Sequence, residues 1–222
     1  MDNDLLDNLD INQIPDLNIF MMCEKLNRKA ISKLSKDFYV RNIRKEELDI
    51  WKAFPFDTVN DAIKYDAFMS EYFDTVYASK ADLFYQKCLF VCDKFDRPIA
   101  TCFIWKAYNQ FNTIHWFKTI KEYEGAGIGR ALLSIVMQEV KEEEYPIFLH
   151  TQPSSYKAIK LYSDFGFVIV TDPYYGERKN DIEECLPILK KFMPRQEYKK
   201  LQFKKAPNHF RQVVDLATTN QF

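Results

Sequence analysis

Residues 124–130, Glu124-Gly125-Ala126-Gly127-Ile128-Gly129-Arg130, hold three of the five glycines in this 222-residue chain, and no glycine precedes Gly125. They stand directly ahead of a helical pattern, Ala131-Leu132-Leu133-Ser134-Ile135-Val136-Met137. Glycine is costly in ordered elements and is used where backbone turns with positive φ or must approach something closely. Successive glycine N–H groups opening onto a helix N-terminus form a concave donor surface at the positive end of the helix dipole. The chemistry expected there is phosphate binding; the alternative is a tight strand-to-helix turn with no ligand. A P-loop requires Gly-Lys followed by Ser or Thr, which Gly129-Arg130-Ala131 does not supply. The dinucleotide fingerprint requires its third glycine where Arg130 stands.

Two other residue types could do acid–base work. His115 lies nine residues before Glu124 on the stretch entering the loop, and its intrinsic pKa suits proton transfer near neutrality. Flanked by Ile114 and Trp116, it is equally a core residue; His150 is the second candidate. With His209 these are the only histidines, too scattered for a metal site, so no metal is expected. The five cysteines, Cys23, Cys88, Cys92, Cys102 and Cys185, contain no Cys-x-x-Cys pair and read as buried reduced thiols.

These residues require a particular set of elements. Residues 17–34 carry an apolar stripe (Phe20, Met21, Leu26, Ala30, Ile31, Leu34) that predicts a helix. Residues 38–44 read as a first strand and 45–54 as a helix closed by Pro55. Asn60 is the expected N-cap of a helix running to about Ala78. Tyr65, Phe68, Met69, Tyr72, Phe73 and Val76 give that helix one aromatic face, to be read either as core or as the roof of an acceptor pocket. Three strands, residues 87–93, 99–108 and 113–120, form an antiparallel meander whose third member feeds the glycine turn. A helix over 127–144 and a strand over 146–151 follow. A strand, crossover helix and strand place the two strands parallel. Ser154 and Ser155 can cap the next helix, Gly166 ends it, and 167–171 is a further strand. Pro187 and Pro194 are expected to start short helices, and 208–217 forms a last one.

The glycine turn, together with Ser155-Tyr156-Lys157-Ala158-Ile159-Lys160-Leu161-Tyr162 and Phe165-Gly166-Phe167, resembles the GNAT family of acetyl-CoA-dependent N-acetyltransferases over about residues 38–172. The family's pyrophosphate loop reads Gln or Arg, two residues, Gly, one residue, Gly or Ala. Glu124, Gly127 and Gly129 take those places; the glycines match and Glu124 departs from the pattern. The resemblance implies an α/β fold with a mixed, mostly antiparallel sheet, a splayed parallel strand pair around the cofactor, and flanking helices. It implies pantetheine contacts from the backbone of Phe117, Lys118 and Thr119, with Thr119 N–H as oxyanion donor. It makes Gly125, Ala126, Gly127, Ile128, Gly129 and Arg130 the pyrophosphate cradle. Arg130 then either adds charge to the phosphates or is an ordinary helix arginine. Tyr162 matches the family tyrosine that protonates the leaving thiolate, although it also shares a helical stripe with Ala158, Leu161 and Phe165. Ser155 stands where the family often has an Asn contacting the pantetheine. In one branch a histidine at the spacing of His115 relays the amine proton.

Composition bounds the rest. Apolar residues make up 47% and aromatics 16%, enough for a packed core. Lys plus Arg number 31 and Asp plus Glu 32, a net charge of −1 with no basic stripe, so nucleic-acid binding through phosphates is not expected. No run of about 18 apolar residues exists, and the acidic start is unlike a signal peptide. A cytoplasmic protein with no membrane partner is expected. Three segments are anticipated: an arm and helix (1–37), the acetyltransferase domain (38–172), and an extension (173–222) packed on that domain or at a subunit contact such as a homodimer. The function expected is transfer of acetyl from acetyl-CoA to a primary amine of a small molecule. A peptide acceptor, or a non-catalytic acyl-CoA-binding module, are the alternatives.

Overall fold

The computed structural model describes residues 9–222, so the first part of the expected arm lies outside the described residues. An eight-stranded sheet forms the centre. In chain order its strands are β1 (Ile19–Cys23), β2 (Tyr39–Asn42), β3 (Leu89–Cys92), β4 (Pro98–Ala107), β5 (Phe111–Thr119), β6 (Ile147–Thr151) and β7 (Phe167–Val170). A two-stranded hairpin, β8 (Tyr174–Tyr175) and β9 (Arg178–Lys179), stands apart, and β10 (Phe203–Lys204) completes the main sheet. The spatial order is β10-β7-β1-β6-β5-β4-β3-β2. The helices are α1 (Leu48–Ala53), α2 (Val59–Val76), α3 (Ala81–Lys87), α4 (Ile128–Gln138), α5 (Tyr156–Asp164), α6 (Ile182–Phe192), α7 (Arg195–Tyr198) and α8 (Asn208–Asp215).

The expected meander is present: β3, β4 and β5 pair antiparallel in succession. So is the parallel pair, because β5 and β6 run the same way across the α4 crossover. They meet only at Thr113↔Phe148 and part beyond it.

The helix expected over 17–34 is not formed. Ile19–Cys23 is instead a central strand, paired antiparallel with β6 on one side and β7 on the other. All five residues are buried. Both faces of this strand are covered, so its run is apolar throughout and shows no alternation for a period-two reading to catch. A chance stripe at helical spacing then won. Burying Phe20, Met21 and Met22 at 0–2% exposure stabilises the sheet by about 1.5–3 kcal/mol for each side chain.

Smaller corrections follow the same logic. Thr58, not Asn60, caps α2, its hydroxyl accepting from Asp61 N–H at 3.1 Å. Of the aromatic face on α2, Met69, Phe73 and Val76 are buried, whereas Phe68 is 53% exposed. α4 stops at Gln138, and a short 3-10 turn occupies Glu142–Glu144. Pro187 lies inside α6 and does not start a helix. Ser155 makes no side-chain cap bond at α5.

One face of the sheet packs on α4 and α5, with Ile114, Leu132, Val136, Leu149 and Ile169 in that core. On the other face α1–α3 cover the β2–β5 half through Trp51, Phe73, Tyr77 and Phe84. Phe210 and Val214 of α8, with Phe222, cover the β1–β6 half. Residues 173–222 are tied in by buried Asp172, which accepts from Ala206 N–H at 2.7 Å and from Arg211 Nη1 at 3.1 Å.

Candidate active site

Where β5 and β6 part, a groove of about 760 Å³ opens. Phe117, Lys118 and Thr119 of β5 line it on one side; Gln152 and Ser155, following β6, line it on the other. Gly125, Gly127, Gly129 and Arg130 close one end. The geometry thus brings most of the predicted cofactor residues to one place.

The backbone explains how β5 serves the groove. Ile120 N–H bonds to Ile99 O on β4. Adjacent residues of a strand present their N–H and C=O groups to opposite edges. Thr119 therefore turns its N–H and C=O away from β4, toward the unpaired edge. Just before it the β4–β5 register shifts between Thr101 and Phe103, a bulge at which Trp116 takes φ +50°. An aromatic residue in the left-handed region is held there by its surroundings. Trp116 Nε1 donates to the Tyr77 hydroxyl at 3.1 Å, and Trp51 and Tyr72 pack edge-on against its ring at 5.7 and 5.2 Å.

At the turn, Gly125 and Gly127 have φ of +81° and +80°, and an added Cβ on either would meet nothing within 4 Å. Both face open space. Gly129 differs, since a Cβ there would come within 3.1 Å of the Phe117 ring. Ala126 N–H is used internally, bonding to Tyr123 O at 3.4 Å, and Ile128 is 1% exposed, so Ile128 offers only backbone. Free N–H groups at the start of α4 and the helix dipole make this end fit a pyrophosphate. Arg130 is engaged elsewhere, because its guanidinium bonds to Asp164 and to Ala30 O, tying α4 to α5. The departure at Glu124 has a local partner, Lys157 Nζ at 2.6 Å, across the mouth of the groove. Lys118 Nζ is likewise held by Asp57 at 2.6 Å.

Tyr162 lies one layer behind the lining residues Ala158 and Leu161, its ring 5.7 Å from both Phe117 and Phe167. Its hydroxyl bonds to none of the described residues, and burial raises its pKa well above the ordinary phenol value, keeping it protonated.

His115 is not on the groove. It is 3% exposed, with Nδ1 2.5 Å from the Tyr77 hydroxyl and Nε2 2.7 Å from Thr113 Oγ1. Thr113 donates its own proton to Trp105 O at 3.0 Å, so it accepts from His115 Nε2–H, and Nδ1 accepts from Tyr77. Burial lowers the His115 pKa to about 3. Its contact with the site runs through Tyr77 and Trp116. His150 is lowered to about 3 as well, by burial and then by Arg178, and its Nε2 lies 2.8 Å from Asn18 Oδ1.

Sequence reading missed Ile11, Pro55, Asp57, Gln152 and Lys157 as lining residues. Ile11, Pro55, Asp57 and Gln152 carry no motif. Only Lys157, one residue into a helix beside the glycine turn, had a positional signal. Among the described residues no cluster of His, Cys, Asp and Glu could hold a metal, and no helix is long and apolar enough to cross a membrane.

A family model described as the acetyltransferase (GNAT) family matches residues 49–167. Among solved structures, this chain is similar to a GNAT-family acetyltransferase from Staphylococcus aureus Mu50, at 15% identity over 57% of this chain and 81% of that one, with a TM-score of 0.44. It is similar to a GCN5-related N-acetyltransferase from Sphaerobacter thermophilus, at 12% identity over 70% and 49%, TM-score 0.46. An acetyltransferase from Colwellia psychrerythraea matches at 11% identity over 70% and 53%, TM-score 0.47. No curated protein matches.

Proposed function

Since this chain belongs to the acetyltransferase (GNAT) family, we propose that it moves an acetyl group from acetyl-CoA to a primary amine of a small molecule by direct attack of the amine. The observation that carries this reading is the parting of β5 from β6 with the Thr119 N–H turned into the gap. Acetyl-CoA supplies the activated acyl group as a thioester. The unpaired edge of Phe117 and Thr119 gives the pantetheine arm backbone partners, as an added strand would have. Gly125, Gly127 and the first N–H groups of α4 hold the pyrophosphate, with Gly129 leaving room for Phe117, and Ser155 faces them across the groove. Thr119 N–H donates to the thioester carbonyl oxygen as charge gathers there. Tyr162, kept protonated by burial, is the donor for the departing sulfur. The amine's proton leaves through water in the groove, because both ring nitrogens of His115 are engaged inside the core.

The test mixes the protein with acetyl-CoA and a panel of small primary amines and follows free thiol. Acceptor-dependent thiol release is expected. Tight CoA binding with no release across small amines and peptides would replace the transferase with a binding module.

A further inference from the structure

An ion pair bridges the groove beside the glycine turn. Glu124 stands immediately before Gly125, after β5, and Lys157 stands in the first turn of α5, after β6. Both line the groove. Lys157 Nζ donates to Glu124 Oε2 at 2.6 Å, so the bridge runs from the head of the turn to the opposite wall.

The other paired cations that line the groove are held more firmly. Lys118 is bonded to Asp57 and Arg130 to Asp164, and their side chains are 25% and 31% exposed. The Lys157 side chain is 67% exposed and that of Glu124 38%. An ion pair this open to water is worth little and is readily exchanged. The carboxylate holds the Lys157 pKa above its ordinary value, so the ammonium is charged at neutral pH.

A pyrophosphate in the cradle brings negative charge beside the Glu124 carboxylate. Like charges repel there, and the Lys157 ammonium is drawn to the anion with the greater charge. A phosphate oxygen offers it the same kind of charge-assisted bond that the carboxylate gave.

Taking acetyl transfer from acetyl-CoA as the premise, we propose that the Glu124–Lys157 bridge is a clasp that the cofactor opens, with Lys157 leaving the carboxylate to bind a phosphate of CoA. Glu124 then turns out to solvent. The turn has an acid at its head, and the cation it lacks is delivered from α5. CoA has two groups of this chemistry, the pyrophosphate and the 3′-phosphate, and the experiment separates them.

Calorimetric titration with CoA and with dephospho-CoA, which lacks the 3′-phosphate, reads the exchange without any acceptor. Lys157→Met keeps most of the stem, removes the charge and leaves Glu124 unpaired beside the phosphates. CoA should then bind about tenfold more weakly. Glu124→Gln frees Lys157 and removes the repulsion, and CoA should bind at least about threefold more tightly. The opposite signs are the telling readout. A bridge that merely ties α5 to the turn would act in the same direction whichever end is removed. With both substitutions together, CoA should bind more tightly than with Lys157→Met alone. The loss at Lys157→Met should shrink as salt rises from about 50 to about 500 mM. A loss shared by both ligands puts Lys157 on the pyrophosphate; a loss confined to CoA puts it on the 3′-phosphate. Melting temperatures, measured on the same samples, should stay close to the parent's, since both side chains are exposed. Unchanged CoA affinity in Lys157→Met, or binding by Glu124→Gln no tighter than the parent's, overturns the clasp and leaves acetyl transfer standing. A parent protein that binds neither ligand overturns the acetyl-CoA reading and the clasp with it.

Discussion

Tyr162 has two readings at the scale of one residue, and a single oxygen atom separates them. Tyr162→Phe leaves the ring between Phe117 and Phe167. The hydroxyl has no partner among the described residues to lose, so stability should change by less than about 1 kcal/mol. If the hydroxyl serves the departing sulfur, kcat should fall by about 10²–10³, with CoA affinity unchanged. Turnover equal to the parent's would return Tyr162 to the core. The glycine turn allows an equally local test. At Gly125 any L residue is strained, but Asn and Asp tolerate φ near +80° better than others. Comparing Gly125→Asp with Gly125→Asn cancels the strain and leaves the charge. CoA should bind the Asp variant at least several-fold more weakly, and equal affinities would remove the phosphate from this end of the groove.

β5 is the element on which sequence reading and structure diverge most usefully. Its place before the glycine turn, its pairing with β4 and its parallel partner were all legible, because alternation and the crossover rule depend on local pattern. The bulge at Trp116 was not: nothing in Ile114-His115-Trp116-Phe117 marks a left-handed residue. The side chain of His115 consequently points among Tyr77, Phe103 and Thr113, and its role as general base does not follow from its spacing. His115→Gln should leave the acidic limb of the kcat/KM profile where it is; a flattened limb would mean that His115 takes a proton through Tyr77. Its effect should fall on stability. With the folded pKa depressed to about 3, the neutral histidine's contribution is complete above the unfolded value of about 6.5. It is lost as pH falls from there toward 3, by about 1.4 kcal/mol per pH unit. Urea melts at stepped pH should show a shallower decline for His115→Gln than for the parent, with His150 and, at lower pH, the paired carboxylates Glu47, Asp96 and Asp164 supplying what remains.

At the scale of the molecule, the glycine turn, the meander and the parallel crossover were readable because each is built from neighbours in sequence. The middle of the sheet was not, because β1 reaches its place only through partners far along the chain, and no local pattern encodes a pairing partner. Cys23 and Phe165, 142 positions apart, are in contact. That placement makes β1 a point on which the whole fold depends. Met21→Ala, at a side chain with 0% exposure, should cost about 2–5 kcal/mol in a urea titration monitored by tryptophan fluorescence. A cost below about 1 kcal/mol would mean that β1 is not held between β6 and β7 in solution.

The same strand sets a schedule for synthesis. A ribosome adds roughly 5–20 residues per second, so β1 leaves the tunnel on the order of ten seconds before β7 can flank it. For that interval Ile-Phe-Met-Met-Cys is an apolar β-forming segment with two open edges, the kind of sequence that seeks an intermolecular partner. The earliest-made strand can take its place only once β6 and β7 have been made. A nascent chain stalled short of residue 170 would offer that strand to a chaperone or to a sister chain on the same message.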